Sequence, residues 1–260
     1  PWTQRTTDAS TGGTATGKGN YTWDLTPLKL KAGDRYNFYA LVQDNYEMGG
    51  KRHPWVKSSP LTLQIRTEAE ILEARRKELK ELSDRLKALR GQQEQTQAQT
   101  DAIQKAVAAS GVTTAQQKAQ LADLSRQEEQ ETSTAGALQQ TADQIDSDLT
   151  QNKLSQTDLG KIASEVNAGL KDIAANPMPH AASDLNRAHD AAGNPTDDAA
   201  KAKAQAAQTA DAAESASKNQ GEALAKMDNL LSEVSAVGDF EAARDALRNP
   251  LHDDGFHGHG

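Results

Sequence analysis

Leucines recur on a seven-residue frame through residues 67–107, TEAEILEARRKELKELSDRLKALRGQQEQTQAQTDAIQKAV. Leu72, Leu79 and Leu86 form one line of that frame, and Leu82 and Leu89 the other. This is the a/d spacing of coiled-coil helices, which turns one narrow apolar stripe toward a partner. Thr67 with Glu70 reads as a capping box at the start. Glu73 precedes Lys77 and Glu81 precedes Arg85 by four residues, the favourable order for helix-surface pairs. At a few tenths of a kcal/mol each, such pairs support the helix without deciding it. The frame then passes through Gln93, Thr96 and Thr100 before returning to Ile103 and Val107. A polar middle of this kind costs stability and signals register control or a wet segment. A helix of about 40 residues is roughly 60 Å long. Such a rod cannot bury its stripe alone.

The rest of the chain supplies candidates to cover it. Ser110-Gly111 breaks the pattern, and Thr114 with Gln117 makes a second capping box. Leu121, Leu124, Glu128, Glu131, Ala135, Leu138, Ala142, Ile145 and Leu149 then follow the same frame. So short a connection predicts a second helix folded back antiparallel on the first. A third segment over about residues 155–175 carries Leu159, Ile162, Val166, Leu170 and Ile173. Asn176-Pro177-Met178-Pro179 should end it, because proline pushes the preceding residue out of helical geometry. A short helix is expected over residues 181–192. Thr196 is then expected to cap a last long helix, with Asp197 and Asp198 at its positive end. Its seam is small at first (Ala206, Ala210, Ala213) and larger later (Leu224, Met227, Leu231, Val234). Gly238 and Asp239 read as a stop and a new cap.

Ahead of the helices the period changes from seven to two. Tyr21, Trp23 and Leu25 alternate with polar residues, and a Lys-Ala-Gly-Asp turn follows at residues 31–34. Tyr36, Phe38, Ala40 and Val42 alternate again, and Leu61, Leu63 and Ile65 make a third run. Three strands facing one way need a second layer, and the sequence offers little to build one. The expectation is an incomplete half of a β-sandwich, whose unpaired edge another chain can fill.

Two segments carry a family resemblance: YTWDLTPLKLKAGDRYNFYALVQDN, and SSPLTLQIRTEAEILEARRKELKEL beyond it. With the W-D-L before a turn, the G-D opening a strand, the D-N after it and the S-x-x-L-x-L-x-I strand feeding a helix, the chain resembles large planctomycete-type envelope proteins of unknown function. QGEALAKMDNLLSEVSAVGDFEAARDAL, near the C-terminus, is similar to another segment of those proteins. The resemblance implies an immunoglobulin- or fibronectin-like domain running into a long helical region, and an extracytoplasmic or membrane-attached parent protein. It supplies no catalytic residues. It also implies that Pro1 falls inside the β domain, as in a piece cut from a longer chain.

Composition narrows the function classes. Aromatics are only 4% of 260 residues and nearly all precede residue 60, which suits helices with thin seams rather than a thick core. A net charge of -8 argues against nucleic acid as a main partner. Without cysteine there is neither a disulfide framework nor thiolate chemistry. No run approaches the roughly 18 apolar residues of a membrane span. The phosphate-loop, dinucleotide, nucleophile-elbow and H-E-x-x-H patterns do not occur.

A few clusters remain. His252, Asp253, Asp254, His257 and His259 near the C-terminus form a transition-metal-like set, His252, Asp254, His257 and His259 being the candidate ligands for a divalent ion. The plainer reading is a solvated glycine-spaced tail. Asp44, Asn45 and Glu47 suit either an acidic calcium loop or an ordinary turn. Lys51, Arg52, His53 and Trp55 suit an anionic polymer or a solvated loop with one anchoring Trp, while His180 and His189 have no ligand spacing and read as surface residues. The Glu/Arg run over residues 68–90 alternates in sign, as on a solvated helix face.

The expected fold is mainly α: a small N-terminal immunoglobulin-like β element over residues 1–66, an antiparallel coiled-coil-like bundle over 67–250, and a His/Gly-rich tail over 251–260. The expected function is a non-enzymatic structural one, a self-assembling subunit of a cell-envelope or extracellular fibre or layer, with no cofactor beyond the tail's possible metal. Tyr21, Trp23, Leu61, Leu63 and Ile65 on the strands, with Leu72, Leu79 and Leu86 on the helix, are the expected self-association residues. The alternative is a monomeric helical spacer or adaptor of a larger membrane-attached protein, binding a protein partner.

Overall fold

The computed structural model describes residues 23–43, 47–194 and 196–248. The chain divides at about residue 68 into two compact units, a small β unit and a larger helical one.

In the first unit a 3-10 turn at Thr26–Leu28 leads into the expected Lys-Ala-Gly-Asp turn. The Asp34 amide donates to the Lys31 carbonyl at 3.0 Å, and the Lys31 amide donates to Asp34 Oδ2 at 2.8 Å. Gly33 has φ +91° there, a backbone that side chains with a Cβ rarely adopt. Strands β1 (Arg35–Phe38) and β2 (Leu41–Val42) run out; β5 (Val56–Lys57) and β6 (Leu61–Gln64) run back. β1 pairs antiparallel with β6, and β2 with β5. Between them in sequence, β3 (Glu47–Met48) pairs with β4 (Lys51–Arg52) across Gly49 and Gly50. Both glycines have positive φ, the requirement of the tight hairpin turn that matches strand twist.

Two residues separate β1 from β2, but three (Ser58, Ser59, Pro60) separate β5 from β6. That extra residue is a β-bulge, a place where proline's missing N–H does no harm. Ser58 repairs the ladder locally: its Oγ accepts from the Ala40 amide at 2.9 Å, and its own amide donates to the Ala40 carbonyl. Among the described residues every sheet has only two strands, and no immunoglobulin-like sandwich is formed by them.

The second unit is helical: α1 (Glu68–Ser110), α2 (Ala115–Gln151), α3 (Asp158–Ala175), α4 (Pro177–Ala191) and α5 (Ala199–Arg248). Cross-helix hydrogen bonds fix their directions. Arg75 on α1 meets Asp148 on α2, and farther along Gln93 meets Glu128, so α1 and α2 are antiparallel. Asn167 on α3 and Asn186 on α4 both reach α2, at Gln139 and then, nearly three turns nearer its start, at Glu129. These two helices therefore make one leg, interrupted at Asn176. α5 returns along it, through Lys226–Asp172 and Asn219–Asp184, and closes against α1 through Arg90–Asp228 and Gln97 to the Ser217 carbonyl.

The seven-residue frame decides what is buried. All nine seam residues named above for α2 are buried, and on α1 burial runs from Leu79 through Leu82, Leu86, Leu89, Gln93, Thr96, Thr100, Ile103 and Val107. Two apolar clusters result. The larger joins Leu79–Leu89 seam positions with Leu138, Ile145, Leu170, Ile173, Met178 and Met227. The smaller joins Ile103, Val107, Leu121, Leu124 and Leu185 with Ala206, Ala210, Ala213 and Ala216.

The termini of the helices correct several expectations. Thr114 and Gln117 do form the reciprocal capping box. α3 starts at Asp158 behind a Thr157 cap, later than expected. α4 starts at Pro177, four residues early, because proline at the first helical position loses no hydrogen bond. Asp198, not Thr196, caps α5: its Oδ1 accepts from the Ala200 and Lys201 amides at 3.0 and 3.1 Å, and a carboxylate also suits the positive end of the helix. α5 continues through Gly238 without a stop; one glycine costs a helix only about 1 kcal/mol.

Candidate functional site

Two features stand out for function, one in each unit. In the β unit, apolar side chains lie in the open. Leu41 is 51% exposed, Val42 65%, Val56 68% and Leu61 58%, with Tyr39 and Trp55 also exposed. A two-stranded ladder is marginal by itself, and an exposed flat edge with apolar residues is a template for another strand. Two contacts give local order: Trp23 meets Phe38 edge-on with ring centroids 5.6 Å apart, and the Lys57 ammonium sits 3.5 Å over the Tyr39 ring.

Of the expected self-association residues, Trp23, Leu63 and Ile65 are half-buried, Leu61 is exposed, and Tyr21 lies outside the described residues. On α1, Leu72 is partly buried against the main cluster, while Leu79 and Leu86 are fully inside it. Those two leucines are used within the chain's own bundle and are not available to a second copy. The histidine-tail positions His252, Asp254, His257 and His259 lie outside the described residues, as do Asp44 and Asn45. Among the described residues no group of three or more His, Asp or Glu comes together as a metal site. His180 is exposed, and His189 Nδ1 lies 3.2 Å from Asp190 on its own helix. No helix among the described residues is long and apolar enough to cross a membrane.

The second feature lies between the two apolar clusters of the bundle. Glu128 and Glu131, one turn apart on α2, both turn inward and are buried. From α1, Gln93 Nε2 donates to both Glu128 oxygens, at 3.0 and 2.9 Å. From α5, Gln220 Nε2 donates to Glu128 Oε2 at 2.8 Å. Thr96 Oγ1 donates to Glu131 Oε1 at 2.8 Å, and Gln127 Nε2 donates to the same atom at 3.0 Å. Gln93, Thr96, Thr100, Glu128 and Gln220 have no exposed surface.

Burial pushes the Glu128 carboxyl up to about 7, against the pull of the Gln220 and Gln93 amides, with the Glu131 charge adding to the rise. Burial raises Glu131 as well, opposed by Thr96 and Gln127. Glu131 also borders a groove of about 720 Å³ between α1 and α2, alongside Arg85, Gln92, Arg126, Gln127 and Gln130. The polar middle of the α1 seam is thus matched by carboxylates on α2. The sequence places Gln93, Thr96, Thr100, Glu128 and Glu131 on seams without pairing them, and gives no such place to Gln220 or Gln127. The signal available was their symmetry about the turn between α1 and α2: polar seam positions on both arms at similar distances from it.

Comparison with known protein families, with curated proteins and with solved structures finds no match to this chain.

Proposed function

We propose that this chain is a structural, non-enzymatic subunit that associates with copies of itself, through strand addition at the β hairpin and packing between helices, within a cell-envelope or extracellular fibre or layer. The observation that carries this reading is the hairpin itself. Among the described residues Leu41, Val42, Val56 and Leu61 are exposed on ladders of only two strands, and a third strand would satisfy both the backbone edge and the apolar side chains. On this reading the β unit is an immunoglobulin-like half completed by a neighbour, and the helical legs are a coiled-coil-like spacer. The extracytoplasmic setting follows from the envelope-protein resemblance. Repeated head to tail, one strand-addition contact generates a filament unless its rotation closes a ring.

A specific observation favours a second reading, the monomeric spacer or adaptor. Leu79 and Leu86 are buried within the chain's own bundle, so the helices need no second copy. Light scattering after size-exclusion chromatography separates the two. Concentration-dependent growth in mass, lost in Val42→Lys and Val56→Lys, supports assembly. A monomer at every concentration up to about 100 µM, far above the Kd of a specific interface, overturns it in favour of the spacer.

A further inference from the structure

We propose that the layer around Glu128 is a proton-operated joint: with a proton on Glu128 the helices close around it, and losing that proton loosens α1 and α5 from α2 at this level. The proposal is independent of the assembly reading and rests on the surroundings of one buried carboxylate.

As the side chains stand, three buried oxygens of the layer have no partner: Gln93 Oε1, Gln220 Oε1 and Glu131 Oε2. All three are acceptors. The threonine hydroxyls are already used, Thr96 on Glu131 and Thr100 on the Thr96 carbonyl, and one hydroxyl without a partner, Ser125 Oγ a turn before Glu128, stands against the three bare oxygens. The layer is therefore short of donors, not of acceptors. A proton on Glu128 removes the unpaired charge and supplies one donor. The carboxyl becomes a donor, and either glutamine amide, turned end for end, offers its bare oxygen in place of its nitrogen. An amide has nearly the same shape either way round, so the turn needs no extra space. Without the proton, both amides must present nitrogens to the carboxylate, and their oxygens stay unpaired in the core. The same three side chains thus have two arrangements that differ by one proton: the ionised one keeps a buried charge that no cation meets, while the neutral one removes that charge and leaves the turned amide's N–H group where its oxygen stood.

The surrounding charges do not rescue the ionised form. On α2 the facing group is Glu131, of the same sign. α4, packed beside α2, brings Asp184, which is engaged by Arg187 and by Asn219 Nδ2 at 2.8 Å. α1 and α5 face the layer with neutral Gln93, Thr96, Thr100 and Gln220, while their charged groups are tied up at the rim. There Arg90 holds Asp228 and Glu94, and Asp101 accepts from Ser217. Asp123 takes up Arg126 at the edge of the groove. An unpaired carboxylate in this setting is relieved most cheaply by water, and the groove beside Glu131 gives water its way in. Entry of water there separates α2 from its two glutamine partners.

The test is hydrogen–deuterium exchange of the full chain from about pH 5.5 to about pH 8.5, corrected for the intrinsic pH dependence of exchange. Protection of residues 93–100 and 217–224 should fall about tenfold per pH unit once Glu128 ionises, while residues 79–89 and 138–149 change little. Glu128→Gln, which mimics the neutral form, should remove most of the response. Gln220→Leu removes a donor that favours the anion, so the midpoint of its transition should shift to higher pH. That second variant keeps the test decisive if the first fails to fold. A wild-type response that is flat, or that persists unchanged in Glu128→Gln, overturns the joint. So does protection at high pH restored by calcium or magnesium ions alone in the wild type and not in Glu128→Gln, which would make the occupant a cation instead of a proton.

Discussion

Gly160, in the first turn of α3, lies against the backbone of the preceding turn, beneath the Leu154 carbonyl. A Cβ at this position would meet that oxygen and stand 2.7 Å from Ser155 Cα. The obstacle is main chain, so it cannot swing aside. Gly160→Ala would gain about 1 kcal/mol in helix propensity but should lose more to overpacking, typically about 1–3 kcal/mol. Chemical denaturation should show a net loss of stability, with the α2–α3 connection distorted.

Leu86 is fully buried in the larger apolar cluster. Leu86→Ala should cost about 2–5 kcal/mol, the usual range for a leucine deleted from a closed core. Lys87→Ala, one residue on and exposed, should stay within about 0.5 kcal/mol. Urea unfolding of both variants checks the contrast.

Glu128 gives global stability a pH dependence whose sign is fixed. Its folded value, about 7, lies above the ordinary 4.5. The folded protein therefore holds a proton that the unfolded chain has released, and the benefit is complete below about pH 4.5 and lost as pH rises through about 7. At about 1.4 kcal/mol per unit, the swing from this group is on the order of 3 kcal/mol. Glu131, shifted the same way, adds to it. Denaturation midpoints should fall between pH 5 and pH 8 in the wild type, and Glu128→Gln should remove most of the fall.

The hairpin and the bundle belong to separate compact units. Val42→Lys or Val56→Lys, at exposed strand positions, should leave the helical melting transition within about 0.5 kcal/mol of wild type. Circular dichroism at 222 nm reads this, and it makes the association test interpretable.

The helical frame could be read from the sequence because its signal is local. Each residue of the α2 seam is set by neighbours three and four positions away, and every one named from the sequence is buried. Leu159, Val166, Leu170 and Ile173 on α3 are buried for the same reason. What was not legible depends on contacts between distant segments. Gln93 and Glu128 are 35 residues apart, and Glu128 and Gln220 are 92 apart. Only the packed register of three helices brings them together. That Pro177 starts α4 and that Asp198, not Thr196, caps α5 does not show in the sequence, because proline and threonine each have two common roles near a helix end. In the β unit the alternation of Tyr36 and Phe38 with polar residues marked β1, but the period of two does not say how many strands will pair.

The polar layer divides the bundle into unequal ends. On one side leucine, isoleucine and methionine fill the interior; on the other, much of the interior is alanine from α5. A buried methyl group withholds far less surface from water than a buried isobutyl group, so the two ends differ in grip even though both are tightly closed. Pulled or heated, the rod should unzip from the alanine end toward the middle and halt there. Limited proteolysis would then cut first near residues 193–206, leaving the leucine-rich half as a resistant fragment.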